Sequence, residues 1–464
     1  MRVTEIAVKG LFGTFNHNIP LTHADRVTLI HGPNGLGKTM MLKMIAALID
    51  GRTQIFERVP FEEFVVCLDD GKTITVRHQD GMPVDDGKRR LRLDISVTDR
   101  NGNSLQPPED EVLPEVPRQV LDVIDRVVPS PFRRTGSGWR DEVGKFYSLD
   151  EILGRFPKAA ESLPGKYRSS AFASAFKGLE AFFVETTRLN AEKANVHRSP
   201  NRHLYVYPDD TDLPGDDSQN QYGLRVEQYS LDIVQRIKSA LADYAKHSQE
   251  SDRTFPERLV RFVRDRDNAH EPRKILDQMV KLESKRQRLI SLGFLDSESG
   301  LRDLTEEDVK RAPEALTIYV GDVQQKLAVF DDLSQRVGKL IDIVNERFRY
   351  KSLTLHRDQG FRLRTKAGEP IQLEDLSSGE QHELVVLYEL LFRAPRNGLV
   401  LVDEPEISLH VAWQSRFLTD LMEILQLTGS YGIVATHSPV IIGTRWDLTQ
   451  ELRGPEDQDV GETV

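Results

Sequence analysis

Apolar and polar positions alternate with a period of two at the start of the chain. Residues 3–9 (VTEIAVK), 14–20 and 26–31 (RVTLIH) alternate or run apolar over strand lengths, and helical spacing follows from 38 to 47 after a glycine-rich turn. Strand-like pieces recur at 54–58, 64–68, 73–77 and 91–97, parted by turn pairs such as Asp70-Gly71 and Asp86-Gly87. This reads as an antiparallel meander beside an α/β core. Pro107, Pro108, Pro114 and Pro117 then mark an irregular crossing, with helical pieces expected at 118–127 and 149–160 and a buried strand at 182–189. The polar, Pro-, Asp- and Gly-rich stretch 190–222 reads as an exposed loop.

From 226 to 350 the spacing is almost wholly helical, yet no single periodic run reaches the length of a long coiled-coil arm, since ~30 helical residues extend only ~45 Å. Strand patterns return in SLTLHRD, GFRLRTKAG and PIQLEDL. Residues 376–391 (LSSGEQHELVVLYELL) then read as an amphipathic helix with Ser377 and Ser378 at its N-cap and Leu384, Val385, Leu387, Tyr388 and Leu391 on one stripe. A strongly apolar strand at 398–402, a further helix and a strand at 431–435 close the pattern.

Composition narrows the class. The 464 residues suffice for two or three domains and carry a formal charge of −11, which argues against wholesale wrapping by nucleic acid. The basic residues of 253–288 are interleaved with acids, as on a solvated helical face. No apolar run approaches the ~18–20 residues of a membrane span. The start MRVTEIAVKG lacks a signal core, so a cytoplasmic location is expected. Cys67, the single cysteine, excludes an internal disulfide and a cysteine-based zinc site, and its apolar surroundings predict burial.

Three stretches carry chemistry. Residues 32–39 (GPNGLGKT) match G-x-x-x-x-G-K-[ST] between a strand and a helix. Gly32, Asn34, Gly35 and Gly37 let backbone N–H groups converge on phosphates; Lys38 reaches the β- and γ-phosphates of a nucleoside triphosphate, and the Thr39 hydroxyl ligates Mg²⁺. The strand at 398–402 delivers Asp403 and Glu404 to its carboxyl end, where Asp403 suits Mg²⁺ binding and Glu404 suits a general base acting on water. The strand at 431–435 brings His437 to the same sheet edge, within reach of a γ-phosphate or the attacking water.

Taken with LSSGEQ, the order P-loop, signature, strand-Asp-Glu and strand-Thr-His resembles the ABC-type ATPases, and within them the SMC/RecF/OLD group, over 1–50 and 370–445. Transporter subunits place their signature much sooner after the loop, which disfavours a transporter role. The resemblance implies an α/β ABC-type head with a mixed sheet and an antiparallel meander, contributed by 1–190 and 351–454. Residues 191–350 are then a helical insertion and 455–464 a disordered acidic tail. It implies ATP and Mg²⁺ as cofactors and Met40 in the nucleotide contact set, where Thr or Ser is common. Ser377 and Gly379 would face the γ-phosphate on a second copy of the chain, and 406–410 (EISLH) would form the D-loop crossing that interface. The Q-loop is expected at 183–189, where Thr187 stands in place of glutamine.

Stand-alone ATPases of bacterial anti-phage systems, the PARIS type first and the Septu type second, are the nearest resemblance. They imply a homo-oligomer, a separately encoded nuclease (TOPRIM-type for PARIS, HNH for Septu), a phage-encoded trigger and no membrane partner. A RecF- or SMC-like DNA clamp is the alternative, with DNA binding possible and not favoured.

Overall fold

The computed structural model describes residues 1–21, 25–51, 54–79, 92–105, 121, 124–125, 127–128, 132–135, 138–140, 146–147, 175–176, 178–185, 193–195, 207–209, 218–264, 271–296, 304–407, 409 and 411–455. The Asp86-Gly87 turn, the helix expected at 149–160, Thr187 and the tail from 456 onward lie outside them. Contacts divide the chain into one unit of Met1–Thr187 with Ala394–Val464, and a second of Arg188–Arg393.

The first unit opens with β1 (Val3–Leu11), β2 (Phe15–Pro20), β3 (Val27–His31), α1 (Lys38–Ile49) and α2 (Gln54–Arg58). It continues through β4 (Glu63–Leu68), β5 (Thr73–Gln79), β6 (Arg92–Thr98), the short β7 (Arg133–Thr135), β8 (Gly138–Arg140) and β9 (Phe146–Tyr147), and β10 (Ala181–Glu185). The second unit holds β11 (Lys193–Asn195), β12 (Tyr207–Asp209), α3 (Ser218–Arg264), α4 (Pro272–Ser291), α5 (Glu306–Arg311), α6 (Pro313–Ala328) and α7 (Asp331–Arg347). After these come β13 (Lys351–His356), β14 (Gly360–Thr365), β15 (Pro370–Ile371) and α8 (Ser378–Tyr388). The chain returns to the first unit with β16 (Leu399–Asp403), α9 (Val411–Thr428), β17 (Tyr431–Ala435), α10 (Pro439–Ile442) and β18 (Thr449–Glu451).

Among the described residues, two five-stranded sheets form most of the first unit, and a small antiparallel sheet joins β7, β8 and β9. The antiparallel meander has the order β2-β1-β4-β5-β6, and a separate, wholly parallel sheet has the order β10-β16-β17-β3-β18. Every residue of β16 and β17 is buried, which is why both strands read as continuous apolar runs rather than alternating ones. Asp403 pairs in register with Ala435 and Glu185, and Ala435 with Ile30, so the carboxyl ends of four strands finish level. β18 was not foreseen; it adds to β3 at the sheet edge. Helix α1 is buried along most of its length, and its Met41, Leu42, Ile45 and Leu48 share one core with Ile6, Ile19 and Phe64 of the meander and Leu399, Leu401 and Ile433 of the parallel sheet. That core fixes the helix whose first residues follow the phosphate-binding loop.

Residues 54–58 form the short helix α2 rather than the expected strand. Five residues cannot separate a period of two from 3.6, and burial decides. Phe56 is fully buried against Phe61 and Phe64, at ring-centroid distances of 5.9 and 5.7 Å. Cys67 is half-buried, with its Sγ 3.7 Å from the Thr73 hydroxyl.

In the second unit, α3 is a single helix of 47 residues, ~70 Å long, and not a run of short pieces. It runs on through Pro256; nearby, the Thr254 hydroxyl donates to the Glu250 carbonyl and the Arg258 guanidinium to the Ser251 carbonyl. Arg258 also forks onto Asp322 of α6 at 2.6 and 2.8 Å. Within the stretch expected as loop, β11 pairs with β12 and α3 begins at Ser218. By contacts, 351–393 groups with the helical unit, whereas the sequence assigned 351–454 as a whole to the head.

Helix α8 is not amphipathic. Every residue from Gln381 to Tyr388 is buried, polar ones included. The Gln381 amide donates to the Glu374 carbonyl, Glu383 pairs with Arg347, and the Tyr388 hydroxyl donates to Asp232 at 2.5 Å. A π-helical turn follows at Glu389–Arg393, where Arg336 donates to the Leu391 carbonyl.

Candidate active site

The loop between β3 and α1 bends where only glycine fits. Gly32 has φ 150°, and a Cβ there would meet the Leu452 carbonyl at 2.7 Å; Gly37, the N-cap of α1, has φ 88°, and a Cβ would meet Leu11 at 2.5 Å. With no side chain capping α1, its first N–H groups stay available to an anion. A neighbouring histidine braces the loop, since His17 Nε2–H donates to the Leu36 carbonyl at 2.8 Å. Burial holds His17 below the usual histidine range, with the Leu36 bond opposing, so the ring is neutral at pH 7.

Lys38 is buried, and its ammonium donates to the carbonyls of Gly32 (2.9 Å) and Pro33 (3.0 Å). Burial pushes its pKa down, against the opposing charges of Glu404, Asp403 and Glu406. Three carboxylates around a desolvated amine keep the cation in place where phosphate charge would arrive. The Thr39 hydroxyl donates to Asp403 Oδ1 at 3.1 Å. These two hard oxygen donors suit Mg²⁺, which takes few protein ligands. Among the described residues there is no group of three or more His, Cys, Asp or Glu that could hold a metal.

Glu404 sits just beyond β16 with φ 45°, while its N–H still bonds the Ala435 carbonyl at 2.8 Å. A left-handed glutamate is strained backbone, held here by the ladder. His437 Nε2 lies 3.6 Å from Glu404 Oε1, and its Nδ1 lies 3.5 Å from the Lys38 ammonium. Burial and Lys38 lower the His437 pKa, with Glu404 and Glu406 opposing. The ring is therefore neutral at pH 7. An ammonium beside Nδ1 selects the tautomer with its proton on Nε2.

The structure thus brings Gly32, Asn34, Gly35, Gly37, Lys38, Thr39 and Met40 of the loop and α1 to one sheet edge with Asp403, Glu404 and His437. Ser377 and Gly379 belong to the second unit. There Ser377 caps α8 reciprocally: its hydroxyl accepts from Glu380 N–H at 3.4 Å, while Glu380 Oε2 accepts from Ser377 N–H at 2.8 Å and from its hydroxyl at 2.9 Å. Burial raises the Glu380 pKa, but Lys351 at 2.7 Å and the Ser377 bonds outweigh it, so the net shift is downward. The side of Gly379 is open, with nothing within 4 Å of a Cβ. Thr187, His410 and Ser408 lie outside the described residues.

Two contributors escaped the sequence reading. Glu406, read only as part of a D-loop, accepts from the Thr436 hydroxyl at 2.8 Å and from His437 N–H at 2.5 Å. Gln414 on α9 donates to the Glu406 and Leu409 carbonyls and accepts from the Ser438 hydroxyl. The acid two residues after Glu404 was the visible signal for the first; nothing marked the second.

Among known proteins, the chain is 39% identical over 67 residues to protein ea59 of Escherichia phage lambda, covering 14% of this chain and 13% of that protein. Structural alignment pairs it with the Smc head domain with an extended coiled coil, bound to the C-terminal domain of ScpA, from Pyrococcus furiosus. That match has 14% identity, covers 95% of this chain and 90% of that one, and has a TM-score of 0.33. The SMC head domain from Thermotoga maritima aligns with 14% identity, 97% and 94% coverage and a TM-score of 0.30. The family described as "AAA domain, putative AbiEii toxin, Type IV TA system" matches residues 131–443. That stretch begins after the phosphate-binding loop, spans more than half of the chain and contains Asp403, Glu404 and His437, and the chain belongs to this family of ATPase domains.

Proposed function

We propose that the chain hydrolyses ATP in a site shared by two copies of itself, and that this cycle controls a separately encoded nuclease in defence against phage. The observation that carries the hydrolase reading is the meeting of Lys38, Thr39, Asp403, Glu404 and His437 at one sheet edge. Incoming phosphates replace the Gly32 and Pro33 carbonyls as partners of the Lys38 ammonium and take the free N–H groups of α1. Mg²⁺, held by Thr39 and Asp403, supplies charge neutralisation at the phosphate oxygens when bound. Glu404 accepts a proton from the water that attacks the γ-phosphorus as the bond to ADP breaks, and the neutral His437 donates its Nε2 proton in a hydrogen bond to the phosphoryl oxygen. Ser377 and Gly379 of a second copy close the site, the Ser377 hydroxyl turning from Glu380 to the γ-phosphate.

The defence role draws its support from the toxin–antitoxin description of the family and from the resemblance to the PARIS type of ATPase. A TOPRIM-type nuclease encoded beside this chain is the partner this reading calls for.

Glu404→Gln is expected to cut turnover by about a hundredfold or more while ATP stays bound, and Lys38→Ala to abolish ATP binding. Steady-state hydrolysis and equilibrium binding of labelled ATP measure both. A Glu404→Gln chain that hydrolyses ATP at the parental rate removes Glu404 from the mechanism. Co-purification of a neighbouring TOPRIM nuclease, lost with ATP turnover, tests the partner; a nuclease indifferent to the chain sinks that half.

A further inference from the structure

We infer that Glu406 is a positioning residue, a clasp that sets His437 beside Glu404; the inference rests on the hydrolase reading above. Its two carboxylate oxygens do separate tasks. Oε2 accepts the proton of the Thr436 hydroxyl at 2.8 Å, and Oε1 accepts the His437 N–H at 2.5 Å. Both partners stand at the end of β17, directly after Ala435, whose carbonyl takes the Glu404 N–H. The turn after β16 and the turn after β17 are thereby tied twice, once through the backbone and once through Glu406.

Water is excluded from the threonine arm of the tie. Thr436 is fully buried, and its hydroxyl oxygen also accepts the Ser438 N–H at 3.0 Å. Gln414 fixes the other side of the same turn, binding the Glu406 carbonyl and the Ser438 hydroxyl. Main-chain N–H groups that bind a carboxylate form charge-assisted bonds, stronger and shorter than neutral ones. Deleting the carboxylate leaves the His437 N–H and the buried Thr436 hydroxyl without their acceptors, so the turn has to move to find water. The imidazole then leaves its place 3.6 Å from Glu404 and 3.5 Å from Lys38. The Glu406 carboxylate bonds to Thr436 and His437 and reaches the phosphate loop only through its charge near Lys38, where Glu404 and Asp403 also act, so the loss is expected in kcat far more than in nucleotide affinity.

Glutamine preserves most of this arrangement. Its oxygen accepts the His437 N–H while its amide donates to the Thr436 oxygen, at the cost of the threonine's own proton losing its acceptor. In the full chain, Glu406→Ala should lower kcat for ATP by about a hundredfold with KM changed less than about threefold, and Glu406→Gln should keep kcat within about fivefold of the parent. Thr436→Val, which removes one arm, should fall between them. A role in folding alone predicts instead that kcat follows the fraction folded, so thermal midpoints are measured alongside.

Survival of kcat within threefold in Glu406→Ala overturns the clasp. So does a Gln variant as impaired as Ala. If the parent itself binds ATP and never turns it over, the hydrolase reading is what fails. The amide proton shift of His437, displaced downfield in the parent and restored upfield in Glu406→Ala, then reads the clasp apart from turnover. An unchanged shift overturns it.

Discussion

At the scale of single residues, the loop is defined by where a side chain cannot go. Gly32 and Gly35 both occupy positive φ, at 150° and 89°, but only Gly32 faces main chain: its Cβ would meet the Leu452 carbonyl at 2.7 Å, whereas Gly35 faces open space. That carbonyl cannot step aside easily, because the Leu452 N–H bonds the His31 carbonyl in the line of β18. Gly32→Ala should therefore cost about 1–3 kcal/mol more than Gly35→Ala. Chemical denaturation of the two variants measures the difference, and equal midpoints would contradict the contact. The sequence made the glycines, Lys38, Thr39 and the Asp403–Glu404 pair visible, because each sits within a few residues of its partners in a fixed motif. Glu406 was legible only as an acid in EISLH. Its bonds to Thr436 and His437 span some thirty positions, and no local pattern records them.

At the scale of elements, four strands of the parallel sheet, β3, β10, β16 and β17, were plain from apolar runs, while β18, α2 and α8 were not what periodicity suggested. Helix α8 shows the reason: its stripe was real, but the opposite side is buried too, with Gln381, Glu383 and Tyr388 each held by a protein partner. His382 stands on that helix at 4% exposure, and burial, aided by Arg225, lowers its pKa to about 4. A folded-state pKa below the unfolded value of 6.5 means the unfolded chain binds the extra proton first. The neutral ring's contribution is complete above pH 6.5 and is lost as pH falls toward 4, by roughly 3 kcal/mol in all. Unfolding midpoints in urea between pH 7.5 and 4.5 should fall for the parent and fall less for His382→Leu. A parent whose stability is flat across that window would show that His382 takes up its proton as readily folded as unfolded.

At the scale of the whole molecule, the sequence foretold the motifs at both ends, yet the chain's division ran differently from the domain bounds it suggested. Contacts place 351–393, including the signature helix, with the helical unit, while Lys38, Glu404 and His437 belong to the α/β unit. Length and polarity hid this, since a strand pair and a helix read alike whichever core they join. The proposed signature and the proposed catalytic groups thus belong to separate units of one chain, which makes the shared-site proposal a question of which copy supplies which half. Mixing two inactive variants answers it. Ser377→Arg spoils the signature with its own loop intact, and Lys38→Ala spoils the loop with its own signature intact. Where each site takes its loop from one copy and its signature from the other, a mixed pair contains one whole site and one doubly damaged site. Random pairing of equal amounts makes half of all pairs mixed, so the mixture should recover about a quarter of parental ATP turnover under a two-fold arrangement with independent sites. A site built within one copy gives no recovery at any ratio, because every copy then carries a lesion of its own. Titrating Ser377→Arg into a fixed amount of Lys38→Ala and following ADP release separates the two, and a mixture that stays inert would return the signature serine to the role of a helix cap.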